Sequence, residues 1–351
     1  MKLKHSITCC LLLLIFGCNS SEKSSSSNLE GFDVTEFSQA AEQIGEYVVA
    51  TYQDSKDNLW FGTLEKGVAM YDGRQLQYYT VADGLPSNRV VDIIEMPSGE
   101  IWLSTGSGLS KFDGMNFKNF DESDGLCSNR LTGIMPDSKG MLWIGTWDGV
   151  CLYDGAVFSE FQLPTPSVTT RINPDTENWI TNLTEDSQGN IWIARDGYGA
   201  YKYDGDSIIH FTKKDGLLSN NVTDIREDSE GNFWIGSRVG EKDHPNTSMR
   251  QGPGGLNKLE QGDFLTFPDI PGFMDDDIYE VFISSQDEIW VSSVTHGIYR
   301  LIQDAWQHFD FHASVMSITE DDSGRLWLGC AGGLYRMEGD SVLNVTVDGP
   351  W

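Results

Sequence analysis

The chain has little that would suit a nucleic-acid partner, a spanning helix or a metal centre. Its 24 Lys and Arg face 53 Asp and Glu, a formal charge of −29 over 351 residues. Such a surface repels nucleic acid and anionic lipid. No apolar run approaches the roughly 20 residues of a membrane-spanning helix. Beyond residue 18 only Cys127, Cys151 and Cys330 remain. An odd number at scattered sites predicts no disulfide framework, and no C-x-x-C pair suggests zinc. The six histidines form no pair at metal-ligand spacing. Serine and cysteine nucleophiles lack a readable base partner. The acidic run Phe273 to Asp277 lacks the spaced oxygens and glycine of a calcium loop. No cofactor, metal or catalytic residue is expected.

What is present begins with a leader. Lys2 and Lys4 precede the apolar run Leu11 to Phe16, which ends in Gly17-Cys18. This pattern reads as a secretion signal over 1–17, and Ile15-Phe16-Gly17-Cys18 resembles a bacterial lipobox. The resemblance implies diacylation of Cys18, two chains being enough for stable anchoring. Residues 18–30, with unbroken serine from Ser24 to Ser27, form a flexible tether by composition. Asn19 stands where an aspartate would often signal inner-membrane retention, which favours the outer membrane. Loss of the leader removes two lysines and no acid, taking the charge from −29 to −31. Residues 31–45 form an N-terminal segment. Within it, Phe32 to Phe37 could add a latch strand, and Ser38 to Ile44 could instead form a short helix.

The remainder, 46–351, is governed by a repeat. An apolar-Trp-apolar-small core recurs at Trp60, Trp102, Trp143, Trp192, Trp234, Trp290 and Trp327, spaced 42, 41, 49, 42, 56 and 37 residues apart. Each copy follows an apolar alternation and an acidic, Gly-bearing turn. A Gly-led short strand comes next, then Asp-Gly, as at Asp113-Gly114, Asp154-Gly155 and Asp204-Gly205. The Asp-Gly pair predicts a two-residue hairpin. Four strands per unit of about 40 residues is a propeller blade. One blade has two apolar faces and cannot cover them alone; a closed ring of blades covers all. The sequence therefore predicts an all-β, seven-bladed β-propeller of four-stranded antiparallel blades, its tryptophans packed where adjacent blades meet.

Glu185 to Ile193, and Leu142 to Thr146 with Leu152-Tyr153-Asp154-Gly155, resemble the two-component regulator propeller repeat. The inter-blade phrase Asp-Gly-Leu-x-Ser-Asn appears at 83–88, 124–129 and 215–220. The resemblance covers about residues 46–348. It implies a recognition scaffold, since these repeats commonly form periplasmic sensors of histidine kinases, often responsive to carbohydrate. The chain departs from that plan in having no spanning helix and no kinase or DNA-binding segment, so direct phosphotransfer is not expected. Streptogramin lyases share the fold and strands of this type, but no constellation like their catalytic one is apparent.

The meander places the loops between second and third strands on the same face as the inter-blade loops. Two insertions, 162–178 and 238–254, fall there. Register nominates ligand-binding residues at that mouth. Arg89 and Arg130 precede innermost strands, and Trp179 holds a similar place in blade four. Trp147 follows the third Trp strand, Arg195 and Tyr198 the fourth, and His296 the sixth. Arg238 and His244 lie in the long insertion. Arginine holds anionic groups bidentately, and aromatics can stack on sugar rings. The expectation is an extracytoplasmic, lipid-anchored ligand-binding or sensing propeller. Its partner would be a small molecule or glycan, or alternatively an envelope protein for which it acts as scaffold. The lipid anchor would be its only membrane contact.

Overall fold

The apolar-Trp-apolar cores become seven short strands, Leu59–Thr63, Ile101–Thr105, Leu142–Thr146, Ile191–Arg195, Phe233–Ser237, Ile289–Ser293 and Leu326–Cys330, buried along their whole length. Each is the second strand of a four-stranded antiparallel sheet, and the seven sheets are each continuous in sequence. These are the blades of the predicted propeller, seen in a computed structural model that describes residues 44–165, 178–239, 253–270, 273, 276–311, 313–347 and 349–350. The proposed leader, tether and latch, Cys18 included, lie outside the described residues.

The tryptophans sit between blades, as the repeat predicts. Trp60 packs with Val90, Ile93 and Leu103 of blade two, and Trp102 with Leu131, Ile134 and Leu142 of blade three. The pattern runs round to Trp327 of blade seven, which packs with Val48, Leu59 and Phe61 of blade one. Every interface thus contains one large ring. Each buries roughly 200 Å², several kcal/mol per interface at ~25 cal/mol per Å².

Polar groups at the opposite ends of the blades fix how each pair meets. In five blades the first aspartate of the acidic turn accepts both turn N–H groups and the indole Nε1 of the Trp six residues on. Asp54 accepts from Lys56 N, Asn58 N and Trp60 Nε1; Asp137, Asp186, Asp228 and Asp321 repeat this. The next residue is a serine in four of these turns; Ser229 donates from N and Oγ to Asp287 in the turn of blade six, and the other three donate from N and Oγ to the carboxylate ending a neighbouring inner strand. Ser55 reaches Glu95, Ser138 reaches Glu185 and Ser187 reaches Glu227. The acidic turns are therefore inter-blade clamps.

Two expectations are corrected. The Asp-Gly hairpins are four-residue loops. Tyr153 pairs with Phe158 across 154–157, and Asp154 Oδ1 accepts from the N–H groups of Ala156 and Val157. Only the glycine takes positive φ (Gly155, 96°), so the aspartate serves by its side chain and not by tolerating a left-handed backbone. Second, Cys127 and Cys151 form a disulfide, leaving Cys330 free and buried. The cysteines stand 24 residues apart, on an inter-blade loop and a third strand, and blade stacking brings them together.

Candidate functional site

The innermost strands, Val48–Gln53, Val90–Glu95, Leu131–Pro136, Ile180–Glu185, Val222–Glu227, Ile278–Ile283 and Val315–Glu320, line a central channel of about 720 Å³. At its mouth a sevenfold hydrogen bond recurs. The residue after each second strand donates its N–H to the carbonyl just before the innermost strand: Leu64 to Tyr47, Gly106 to Arg89, Trp147 to Arg130, Asp196 to Trp179, Arg238 to Asn221, Val294 to Asp277 and Ala331 to Ser314. This confirms that the two sets of loops share a face. It also makes the mouth lopsided. Blades two to five supply Arg89, Arg130, Trp147, Trp179 and Arg238 together with Gly106, Asp196 and Asn221, whereas blades six, seven and one supply no arginine or tryptophan but Asp277, Val294, Ser314, Ala331, Tyr47 and Leu64.

The crescent is ordered by stacking. Trp147 and Trp179 are parallel (3°) with centroids 4.7 Å apart. The Arg130 guanidinium lies 4.3 Å from the Trp147 centroid and that of Arg238 lies 4.9 Å from Trp179. At those distances a guanidinium and an indole cannot share one ring face, so the four side chains form a single stack. Both indoles therefore present edges to the channel, not free faces for a sugar ring. Arg238 is held further by an ion pair with the fully buried Asp196. Arg89 and Arg130 are exposed, with no ion pair among the described residues. The stem of Arg89 lies across Gly106, where an added Cβ would meet it at 3.1 Å.

The remaining predicted residues are dispersed. Arg195 and Tyr198 are 7% and 5% exposed. Arg195 donates to Asn178 Oδ1 and lies 4.4 Å over Tyr198; the pair braces the blade-four loop from inside. His296 is exposed and 3.0 Å from Asp276, away from the residues lining the channel. Burial alone would raise the Asp276 carboxyl, but hydrogen bonds from Ser293, His296 and Thr295 outweigh it and bring it to about 2. That side chain serves as a loop clamp, and no group of metal-ligating residues occurs among the described residues. His244 lies outside them.

Sequence reasoning missed the wall below the mouth. Every innermost strand is bulged against its neighbour just before or at its third residue. A bulge re-aims side chains, and all seven third residues line the channel: Ala50, Asp92, Gly133, Asn182, Asp224, Glu280 and Ser317. Asp92 accepts from the N–H groups of Ile93 and Ile134, Asp224 from Ile225 and Val281. Each carboxylate thus satisfies an inner-strand N–H on another blade. Arg226 lies 3.3 Å from Asp224 and donates to the Val281 carbonyl. Burial raises the Asp92 carboxyl to about 6, against two backbone hydrogen bonds. It raises Glu280 well above the usual range, with the Asp224 charge adding to the effect.

The comparisons with known proteins agree on the architecture. The extracellular domain of the hybrid two component system BT3049 from B. thetaiotaomicron is 20% identical, with TM-score 0.66 over 83% of this chain and 39% of that one. The chain thus spans about two-fifths of that relative. Virginiamycin B lyase from Staphylococcus aureus is 12% identical, with TM-score 0.62 over 83% and 94% of the two chains. The GH74 xyloglucanase of Xanthomonas campestris is 14% identical, with TM-score 0.64 over 85% and 52%. At these identities the likeness is one of fold. A search of curated proteins by sequence finds no match. No helix among the described residues is long and apolar enough to cross a membrane. The profile of the two component regulator propeller matches residues 42–65, 125–148, 175–194 and 216–238, so the chain carries repeats of the two component regulator propeller type.

Proposed function

We propose that the chain is an extracytoplasmic ligand-binding propeller, a sensor module tethered by lipid at Cys18, whose ligand enters the channel mouth at the Arg89–Arg130–Trp147 crescent. The observation that carries this is the one-sidedness of the mouth. In a chain of charge −29, three arginines converge on one arc of a channel opening, and two of them carry no ion pair among the described residues. Guanidinium groups so placed favour an anionic ligand group. The kinship with extracellular domains of two component systems supports a sensing role. A carbohydrate ligand fits that kinship and the fold shared with a xyloglucanase; exposed arginines with no free indole face beside them suit an acidic sugar better than a neutral one.

The test is a thermal-shift comparison of galacturonic acid with galactose on the lipid-free domain, since binding to the native state raises the melting point. Galacturonic acid is expected to stabilise, and the Arg89→Ala/Arg130→Ala double variant to lose the effect. Equal responses to the two sugars would remove the mouth arginines from the reading. Metabolic labelling with a radioactive fatty acid tests the anchor: Cys18→Ser is expected to abolish incorporation.

A further inference from the structure

Just below the mouth, the channel wall divides by blade as the mouth itself does. In blades three, four and five the second residue of the innermost strand is a threonine whose hydroxyl is spent on the wall. Thr132 donates to the Ile180 carbonyl, Thr181 to that of Val222 and Thr223 to that of Ile278. In blades six, seven, one and two the same position holds Tyr279, Met316, Val49 and Val91, all lining the channel, and Leu64 continues this apolar arc up to the mouth in blade one. Tyr279 is the one large apolar side chain on an innermost strand left exposed among the described residues, at 42%. Its ring stacks on no other ring among them. By the order of blades, the centre of this arc stands across the channel from the Arg130–Trp147–Trp179 stack of blades three and four. Burial raises the Tyr279 hydroxyl, and the charges of Arg238 and of Arg89 act against it, so the phenol tip lies in the field of two of the mouth arginines.

We propose that the ligand of this mouth is an anion joined to an aromatic group, the anion held by Arg89 and Arg130 and the aromatic ring laid on Tyr279 with Met316 and Val49 around it; for an acidic sugar, this is an aryl uronide. This rests on the reading of the mouth as an anion site and deepens it. Apolar surface left open inside a concavity gains most from a ligand that covers it. A tyrosine ring takes a second ring in offset or edge contact, and a methionine thioether adapts to the ring's outline. The channel, about 720 Å³, is of the size that takes a drug-sized ligand. A free uronic acid would use the arginines and leave the arc uncovered. A neutral aryl sugar would cover the arc and leave the arginines unmet. The opposed walls together select a ligand with both parts.

The test is calorimetric titration of the lipid-free domain with methyl and phenyl β-D-galacturonide, which share the carboxylate and differ in the aromatic ring, and with phenyl β-D-galactoside, which keeps the ring and lacks the charge. The phenyl galacturonide is expected to bind about tenfold more tightly than the methyl one, the scale of burying one face of a ring, and more tightly than the galactoside. Tyr279→Ala is expected to erase the preference for phenyl over methyl, and Tyr279→Phe, which keeps the ring, to retain it. Met316→Ala is expected to weaken the preference severalfold and keeps the test readable should Tyr279→Ala fail to fold. Equal binding of the two galacturonides overturns the proposal, as does a phenyl preference unchanged in every folded variant of the arc. So does phenyl galactoside binding as tightly as phenyl galacturonide. If galacturonic acid and both galacturonides bind alike, this inference fails alone; if none of them binds, the reading of the mouth fails with it.

Discussion

The indole Nε1 groups of Trp102 and Trp290 are buried without a hydrogen-bond partner, while the other five repeat tryptophans donate to an aspartate six residues earlier. Met96 and Ser284 occupy that position in blades two and six. Methionine offers no oxygen, and the Ser284 hydroxyl is engaged by the N–H groups of Gln286 and Glu288. Restoring the acceptor should therefore stabilise. Met96→Asp is expected to gain about 1 kcal/mol, read as a higher melting temperature, and an unchanged or lower one would count against the brace. The converse is larger. Asp186 accepts from the N–H groups of Gln188 and Asn190 as well as from Trp192 Nε1, so Asp186→Ala should cost at least about 2 kcal/mol in a denaturant melt. The six-residue spacing from aspartate to tryptophan stands in the sequence. Its meaning does not, because an indole nitrogen facing a turn is visible only once the blade is folded.

At the scale of single elements, the inter-blade loop 121–130 and the inner strands carry what the sequence concealed. The loop holds Arg130 at its end and is pinned by Cys127–Cys151, with Cys127 N–H also directed at Cys151 Sγ. In blade five the equivalent Leu218 N–H donates to Asn257 Oδ1, a hydrogen bond where blade three has a covalent link. Closing a loop of this length typically contributes about 2–4 kcal/mol. Reduction by dithiothreitol should lower the melting point of the native protein, and the Cys127→Ser/Cys151→Ser variant should show no such response. The inner strands read as plain apolar alternation, with Asp92, Asp224 and Glu280 falling at positions that look solvent-facing. The bulge turns them onto the channel, and no residue pattern announces it. Asp92 adds a pH dependence with a definite sign. Folded, it keeps its proton up to about pH 6; unfolded, it releases it near the usual ~3.9. Between these values the native state binds more protons, so stability falls as pH rises from about 4 to about 6. Glu280, also raised, acts in the same direction. Asp92→Asn cannot titrate, and its stability curve should be flatter over that window; a slope equal to that of the parent would place the titration elsewhere.

For the molecule as a whole, the question is how a ring of self-contained blades stays shut. Each of the seven sheets is built from one contiguous segment, the first beginning at Val48 and the last ending at Asn344. Among the described residues no sheet borrows a strand from the far end of the chain. Closure is made instead by the face between blades seven and one and by a short splice along it. Trp327 packs against blade one, and Thr319 Oγ1 donates to the Thr51 carbonyl. Tyr47 bridges Ala331, Gly332 N–H donates to Glu46 O, and Ile44 N–H donates to Thr346 O. The splice holds the ends of the propeller together, 3.0 Å apart at Ile44 and Thr346. Because the ends meet and every interface contains the same tryptophan seam, no one interface need be the place where the chain starts. A circular permutant that joins residue 350 to residue 44 through a short linker, and opens between blades three and four within 166–177, should therefore form the same seven-bladed ring. Termini that lie together are the condition under which such rearrangements succeed. Its far-UV spectrum should match the parent, and the cost should be confined to the opened connection. A permutant that fails to fold, while Asp186→Ala still folds, would show that the splice at 44–47 organises the ring and does not merely fasten it.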